Sequence, residues 1–218
     1  MSLAELRDEA RMLGTTIAGL FFGRTVWLPK AAPPSTEWID GAHRRNISAF
    51  RDVYSERLKS ETVGVEAVRR RAEFALTAVI AAAGLSAGAF ERLWIVVPTN
   101  SWPLIIWLVG ILELALSVLV FGGVAVSKKV LGVVDVQSFA HLKNPQREEL
   151  RQYAWAVHVT SRTRRAMVTV FRDGFLIALL GLTMLAVAHA ISWALPVDAT
   201  TTPAPLVVVV SPSPSPAP

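Results

Sequence analysis

The sequence predicts an all-α fold, a three-span helical membrane protein with long cytoplasmic helical extensions. Three apolar stretches, residues 74–90, 104–127 and 174–195, each have basic side chains at one end. A bilayer core of about 30 Å requires roughly 20 apolar residues, and a single segment can cross it only as a helix. Mean hydropathy is +0.43 and 52% of the 218 residues are hydrophobic, which also favours lipid as part of the solvent.

The positions of Lys and Arg predict the orientation. Residues 1–73 hold twelve basic and ten acidic side chains, and residues 128–173 hold nine basic and four acidic ones. The loop 91–103 has only Arg92, and the tail after residue 195 has neither Lys nor Arg. The positive-inside rule then predicts a cytoplasmic N-terminus and an outer C-terminus. Four tryptophans, not used in this assignment, fall at the outer interface that indole rings favour: Trp94, Trp102, Trp107 and Trp193.

The segment before the first span contains an apolar stretch that is too short to cross a bilayer. Residues 12–23 number only twelve, and Glu5, Asp8 and Glu9 oppose the positive start of a secretory signal. We therefore expect an interfacial or packed helix here, rather than a signal anchor. Three prolines then mark a break in the chain: Pro29, Pro33 and Pro34.

A composition rich in Ala, Arg and Pro but poor in Lys suggests a bacterial inner membrane as the location. The expected organisation of the chain has six segments. The tail alternates Ser and Pro, and its apolar run Leu206 to Val210 is too short to cross. The segments are 1–37, an N-terminal cytoplasmic or interfacial helix with a Pro-rich break; 38–73, a cytoplasmic amphipathic helix; 74–127, a transmembrane hairpin; 128–173, a cytoplasmic segment with a return helix; 174–195, the third transmembrane helix; and 196–218, a disordered Pro-rich outer tail.

Two long amphipathic helices are predicted on the cytoplasmic side, as stalks of the first and third spans. The second starts with Asn144 as N-cap, Pro145 at the first helical position, and Glu148 and Glu149 in the first turn. The apolar stripe of the first has alternating four- and three-residue spacing and consists of Tyr54, Leu58, Val65, Val68 and Ala72. We expect it to pack on the other stalk, with a self-associating coiled coil as the alternative. Glu61 disfavours the coiled coil, because a charge at the seam is costly unless paired.

Small residues on two of the spans predict close helix packing. Gly84 and Gly88 form a GxxxG on the first span, and Ala186 and Ala190 form a comparable row on the third. Backbones can approach closely along such faces. Packing within one protomer is the preferred interpretation and packing between protomers the alternative.

Glu113 is the most suggestive single residue, because it interrupts the second span. An ionised carboxylate is unfavourable in an apolar span, which makes such residues candidates for a functional role. His189 lies at a comparable expected outer depth on the third span, and a Glu113 to His189 hydrogen bond could line a polar seam or an ion path. The preferred alternative is a protonated Glu113, bonded to a helix carbonyl or to Ser117, that serves assembly alone.

Basic side chains at the inner ends of the spans form what we call the basic collar. Its expected role is topological anchoring on anionic lipids, at about 1 kcal/mol per charge near the surface. An anionic nucleotide pocket is the alternative, without a Gly-rich phosphate loop or stacking motif to support it. The collar consists of Arg69, Arg70, Arg71, Lys128, Lys129, Arg162, Arg164, Arg165 and Arg172.

The sequence shows no phosphate-loop, zinc-protease or calcium-loop motif. It lacks GxxxxGK[ST], HExxH and EF-hand spacing, it has no cysteine, and its four histidines are too scattered for a metal site. We expect no catalytic residue, metal or cofactor. The net charge of +5 is concentrated near the spans, so it does not indicate a nucleic-acid partner. The expected partners are anionic membrane lipids and either a second copy of the chain or a cytoplasmic protein.

The order of these elements resembles the small transmembrane effectors of bacterial anti-phage signalling, of the Pycsar type or the SLATT type. The shared features are an amphipathic helix entering a two-span hairpin, a return helix with the basic run Ser161, Arg162, Arg164 and Arg165, and a last span. The resemblance covers residues 50–195. It implies a protein that oligomerises and impairs the membrane when a nucleotide-signalling or sensor partner activates it. Arg70 to Glu73 departs from the expected Asp or Lys followed by Ala, and no binding residues are carried over.

Overall fold

The computed structural model describes residues 3–22, 32, 34–88, 90–97, 100–126, 131–135 and 144–195. These ranges are helical almost throughout and contain no β-strand, which confirms the all-α prediction. The expected tail 196–218 lies outside them. The helices are α1 (Leu3–Phe22), α2 (Glu37–Gly41), α3 (Arg44–Gly88), α4 (Phe90–Val96), α5 (Trp102–Val126) and α6 (Pro145–Ala194).

Two of these helices are long and apolar enough to cross a membrane. They are α5 and α6. The helices α3 and α4, which are bent by 45° relative to each other, give a third span if the pair is taken as one. The predicted stretches 104–127 and 174–195 fall on α5 and on the second half of α6. The first predicted stretch, 74–90, falls on the end of α3 and the first residue of α4.

α3 and α6 each continue without interruption from a polar half into an apolar half. They contain 45 and 50 residues, which corresponds to about 68 Å and 75 Å. α6 begins at Pro145, as the sequence predicted, with Asn144 at the N-cap. The Asn144 side chain makes no capping hydrogen bond; its backbone carbonyl accepts the amides of Arg147 and Glu148 at 3.2 Å and 3.3 Å.

The polar halves of α3 and α6 pack on each other and form one stalk. The stripe residues Val65, Val68 and Ala72 are buried in one cluster with Ala166 and Val170 of α6. The structure therefore confirms that the stripe packs within the chain. The apolar side of α3 is covered by α6 of the same protomer, because each helix provides the partner surface that the other lacks.

The seam charge on α3 is paired across the stalk. Arg164 Nη1 of α6 donates to Glu61 Oε2 at 3.2 Å, and the Glu61 side chain is only 16% exposed. Gly64 leaves room for this arginine, because a Cβ there would lie 2.7 Å from Arg164 Nε. The pair offsets the cost of placing a carboxylate at the seam.

α2 closes the far end of the stalk. Its Ile39 is buried with Ile47 and Leu150. Arg151 of α6 donates to Asp40 and, at 3.1 Å, to Glu148. These hydrogen bonds, that with Glu148 first, raise the pKa of the Arg151 guanidinium above its usual value. α2 thus attaches the chain before α3 to the start of α6.

α1 packs against α5 and α6, so the N-terminal segment is a packed helix. Met12 and Thr16 are buried, and a Cβ added at Gly123 of α5 would lie 2.7 Å from Thr16 Cγ2. Arg172 of α6 donates to Glu9 at 3.2 Å. Gly123 permits the close approach because any larger side chain would displace α1.

Candidate functional site

α3 and α6 change from polar to apolar at the level of the bundle where the apolar helix α5 ends. Ala72 of α3, Val124 of α5 and Val170 of α6 are buried in one cluster. Arg69 to Arg71 precede it on α3, and Arg172 follows directly on α6. We call this level the basic end of the apolar half.

Aromatic side chains gather at the opposite end of the apolar half. The Phe90 ring lies 5.1 Å from that of Trp107, whose Nε1 donates to Ser86 Oγ at 2.9 Å. The Arg92 guanidinium lies 5.3 Å from the centre of the Trp193 ring, within cation–π range. The exposed tryptophans of this aromatic end are Trp94, Trp102 and Trp193. The four tryptophans predicted to share one interface therefore lie at one end of the bundle.

α5 and α6 approach most closely at two glycines. A Cβ added at Gly110 would lie 2.9 Å from the carbonyl oxygen of Gly181, and the reverse distance is also 2.9 Å. About two turns earlier on α6, a Cβ added at Gly174 would lie 2.7 Å from Val120 Cγ1. These contacts were not predicted from the sequence. The spacing of Gly174 and Gly181 could have indicated them, since residues seven apart share a face of α6.

The small-residue rows that were predicted to pack lie away from the contact between α5 and α6. Gly84 and Gly88 face outward, and a Cβ at either would meet nothing within 4 Å. Ala186 and Ala190 are exposed as well. The preferred expectation of packing within one protomer is therefore wrong for both rows. The physical reason is that α3 turns its Val79 side toward α5 and α6, which leaves the two glycines on the far face.

Glu113 and His189 lie at different levels. Glu113 Cβ is 3.2 Å from the Cβ position of Gly181, which places Glu113 beside the glycine contact. His189 is eight residues further along α6, about 12 Å at 1.5 Å per residue. Its Nδ1–H donates to the carbonyl oxygen of Leu185 at 3.0 Å. The hypothesis of a Glu113 to His189 hydrogen bond is therefore wrong, because the register of α5 on α6 keeps the two side chains apart.

The bond between Glu113 and Ser117, which the preferred interpretation allowed, is not formed either. Ser117 Oγ donates to the carbonyl oxygen of Leu114 at 2.8 Å, not to Glu113. Glu113 Oε2 is buried and has no hydrogen-bond partner among the described residues. A buried polar atom without a partner is unfavourable, and an ionisable residue in an apolar span is a candidate for a functional role.

Several collar arginines are paired within the chain. The hydrogen bonds from Arg172, that to Asp173 first, raise the pKa of its guanidinium above its usual value. The chain thus neutralises part of its own collar. The pairs are Arg69 with Glu73 at 3.0 Å, Arg164 with Glu61 at 3.2 Å, and Arg172 with Asp173 at 3.0 Å and with Glu9 at 3.2 Å.

The remaining collar residues differ from these. Arg70, Arg71, Arg162 and Arg165 have no carboxylate partner in the described part of the chain. Arg70 and Arg71 are exposed on α3, at the basic end. Lys128 and Lys129 lie outside the described residues. The collar is therefore divided into internally paired arginines and arginines that are open to an external anion.

A polar cleft of about 560 Å³ lies between the stalk helices at Glu61, Arg164 and Arg165. Its other polar lining comes from Ser161 and Thr169. Because the Glu61 carboxylate already occupies Arg164, an anionic nucleotide here would compete with an internal pair. Among the described residues, no three of His, Asp or Glu are grouped so as to hold a metal ion.

Comparison with protein-family models, with curated proteins and with solved structures finds no match for this chain. The resemblance to anti-phage effectors remains a hypothesis.

Proposed function

We propose that this chain is a non-enzymatic multi-pass protein of the bacterial inner membrane that presents a cytoplasmic helical stalk for self-association or for a protein partner. The observation that carries the proposal is the common level at which α3 and α6 become apolar and α5 ends. Aligned apolar halves with arginines at one end and tryptophans at the other fit a bilayer with the arginines inside. The bent α3 and α4 pair then serves as the first of three spans.

The stalk tip offers a surface for the partner. We define the tip patch as Trp38, Phe50 and Val53, which are 38%, 39% and 63% exposed. The rings of Trp38 and Phe50 lie 5.2 Å apart, so the patch is contiguous there. Apolar side chains that stay exposed to water often mark interaction sites. The stripe of α3 is buried inside the stalk, and the tip patch is the contiguous apolar surface that we assign to association.

Cysteine labelling tests the topology on a chain that has no native cysteine. Ser101 lies beside the aromatic end and Val53 at the stalk tip, and both are exposed. In intact spheroplasts, a membrane-impermeant maleimide is expected to label Ser101→Cys fully and Val53→Cys only after permeabilisation. Labelling of Val53→Cys in intact spheroplasts, or recovery of the chain from a membrane-free extract without detergent, would contradict the proposal.

The same thiol tests the role of the tip patch. Val53→Cys carrying a photoactivatable benzophenone maleimide is expected to give a cross-linked dimer or one discrete heavier adduct in cells. Lys59→Cys is the matched control, because position 59 is exposed on the same helix but about 120° away around its axis. Equal cross-linking at both positions, or none at Val53→Cys, would argue against a specific surface at the tip.

A second candidate function is a membrane-perturbing effector or channel-like oligomer of the kind that the resemblance implies. It is favoured by the outward-facing Gly84 and Gly88, which leave a smooth surface for a second protomer. Glu113 supports it as well, because an ionisable residue inside an apolar span often marks an ion path. In this role the protein would oligomerise in the membrane and depolarise the cell when a signalling partner activates it.

A membrane-potential dye separates the two functions. The stalk-presenting protein is expected to leave the potential of induced cells unchanged, with no difference for Gly84→Leu or Glu113→Leu. An effector would depolarise the cells, and each substitution would reduce the effect. Depolarisation that both substitutions relieve would replace the first proposal with the second.

A further inference from the structure

An apolar groove of about 480 Å³ opens between α3 and α6, in the apolar half of the bundle. Buried side chains form the bottom of the groove: Val79, Phe121 and Ala178 are 5%, 0% and 4% exposed. Phe74 and Phe175, one on each helix, are mostly exposed at its sides. The lining is thus almost entirely hydrocarbon, on a surface that the proposed function places in contact with lipid.

Arg70 and Arg71 lie at the basic end of this groove, one turn before Phe74 on α3. Both are exposed, and neither has a carboxylate partner within the described residues. Their neighbour Arg69 donates to Glu73 at 3.0 Å, so its charge is already balanced. The groove therefore joins a hydrocarbon lining to two unbalanced positive charges at one end.

We infer that the groove binds an anionic phospholipid of the inner leaflet. Arg70 and Arg71 contact its phosphate, and one acyl chain lies along Phe74, Phe175 and Leu179. An anion without a hydrocarbon chain would contact only the arginines, and a neutral lipid would leave both guanidiniums unbalanced, so an anionic amphiphile fits both parts. The inference rests on the proposed membrane insertion. It differs from general anchoring because it assigns the lipid to two of the collar arginines and to a shaped apolar surface.

Native mass spectrometry of the full chain in detergent, titrated with dioleoyl phosphatidylglycerol or dioleoyl phosphatidylcholine, tests the inference. The wild-type chain is expected to bind phosphatidylglycerol at least about tenfold more tightly, since each arginine near a headgroup contributes to the attraction. Arg70→Gln with Arg71→Gln is expected to abolish the preference. Arg162→Gln with Arg165→Gln is the matched control: it removes the same charge from two other arginines without a carboxylate partner among the described residues, which lie on the stalk part of α6 and do not line the groove.

Ala78→Phe tests the hydrocarbon part while all arginines remain. Ala78 is exposed and lines the groove, so a phenyl ring there fills the groove with little effect on folding. It is expected to weaken phosphatidylglycerol binding about as much as the Arg70 and Arg71 pair. Circular dichroism of each variant checks that its helix content is unchanged.

The outcomes separate this inference from the function on which it rests. Equal loss of binding in the two double arginine variants, or full binding by Ala78→Phe, would overturn the assigned lipid site while the chain still sediments with membranes. A chain that stays in solution without detergent would overturn the proposed function as well. Loss of binding in Arg70→Gln with Arg71→Gln and in Ala78→Phe, with the control unchanged, supports the site.

Discussion

Replacing Gly181 by leucine is expected to destabilise the fold by about 3 kcal/mol or more, the upper range for overpacking a tight contact. A Cβ at this position would lie 2.9 Å from the carbonyl oxygen of Gly110 and 3.2 Å from Glu113 Cβ. The backbone of α5 cannot move locally as a side chain can, so α5 and α6 must separate. Thermal unfolding in detergent, followed by tryptophan fluorescence, measures the loss as a lower midpoint.

Gly84→Leu is the control for this prediction. The same substitution is made on a helix of the same bundle, but a Cβ at Gly84 would meet nothing within 4 Å. Its effect is expected to stay within about 0.5 kcal/mol, as for an exposed substitution. Comparable midpoints for Gly181→Leu and wild type, or equal losses in both variants, would show that the α5 and α6 contact is not as described.

Val65→Asp is expected to unfold the stalk while the apolar half remains intact. Val65 is 0% exposed and lies in the cluster that joins α3 to α6. A charge buried there without a partner costs several kcal/mol, about 3 to 5 for an uncompensated buried ion. Limited proteolysis of membranes measures the result, with rapid cleavage within the stalk and a protected fragment from the apolar half.

Val63→Asp is the matched control, only two residues away on the same helix. Val63 is 68% exposed, so its aspartate remains in water and the two variants differ in burial rather than in helix propensity. Its stalk is expected to resist protease as the wild type does. If Val63→Asp were cleaved as fast as Val65→Asp, the stripe would not be the buried side of α3.

The amphipathic parts of the chain could be predicted from the sequence. In the stalk, polar residues surround a narrow apolar stripe, so the spacing of Val65, Val68 and Ala72 indicates which side of α3 is covered. The start of α6 at Pro145 follows from backbone chemistry that acts within one turn. The grouping of arginines and tryptophans at opposite ends follows from the order of the helices along the chain.

The contacts inside the apolar half could not be predicted in this way. α5 is apolar on nearly every side, so its sequence does not say which face meets α6 and which is left exposed. The pairing of Gly110 with Gly181, the level of Glu113 and the outward position of Gly84 all depend on that choice. Spacing along one helix records which residues share a face. Which face another helix covers is a property of the packed bundle, because it depends on side chains that are far apart in the chain.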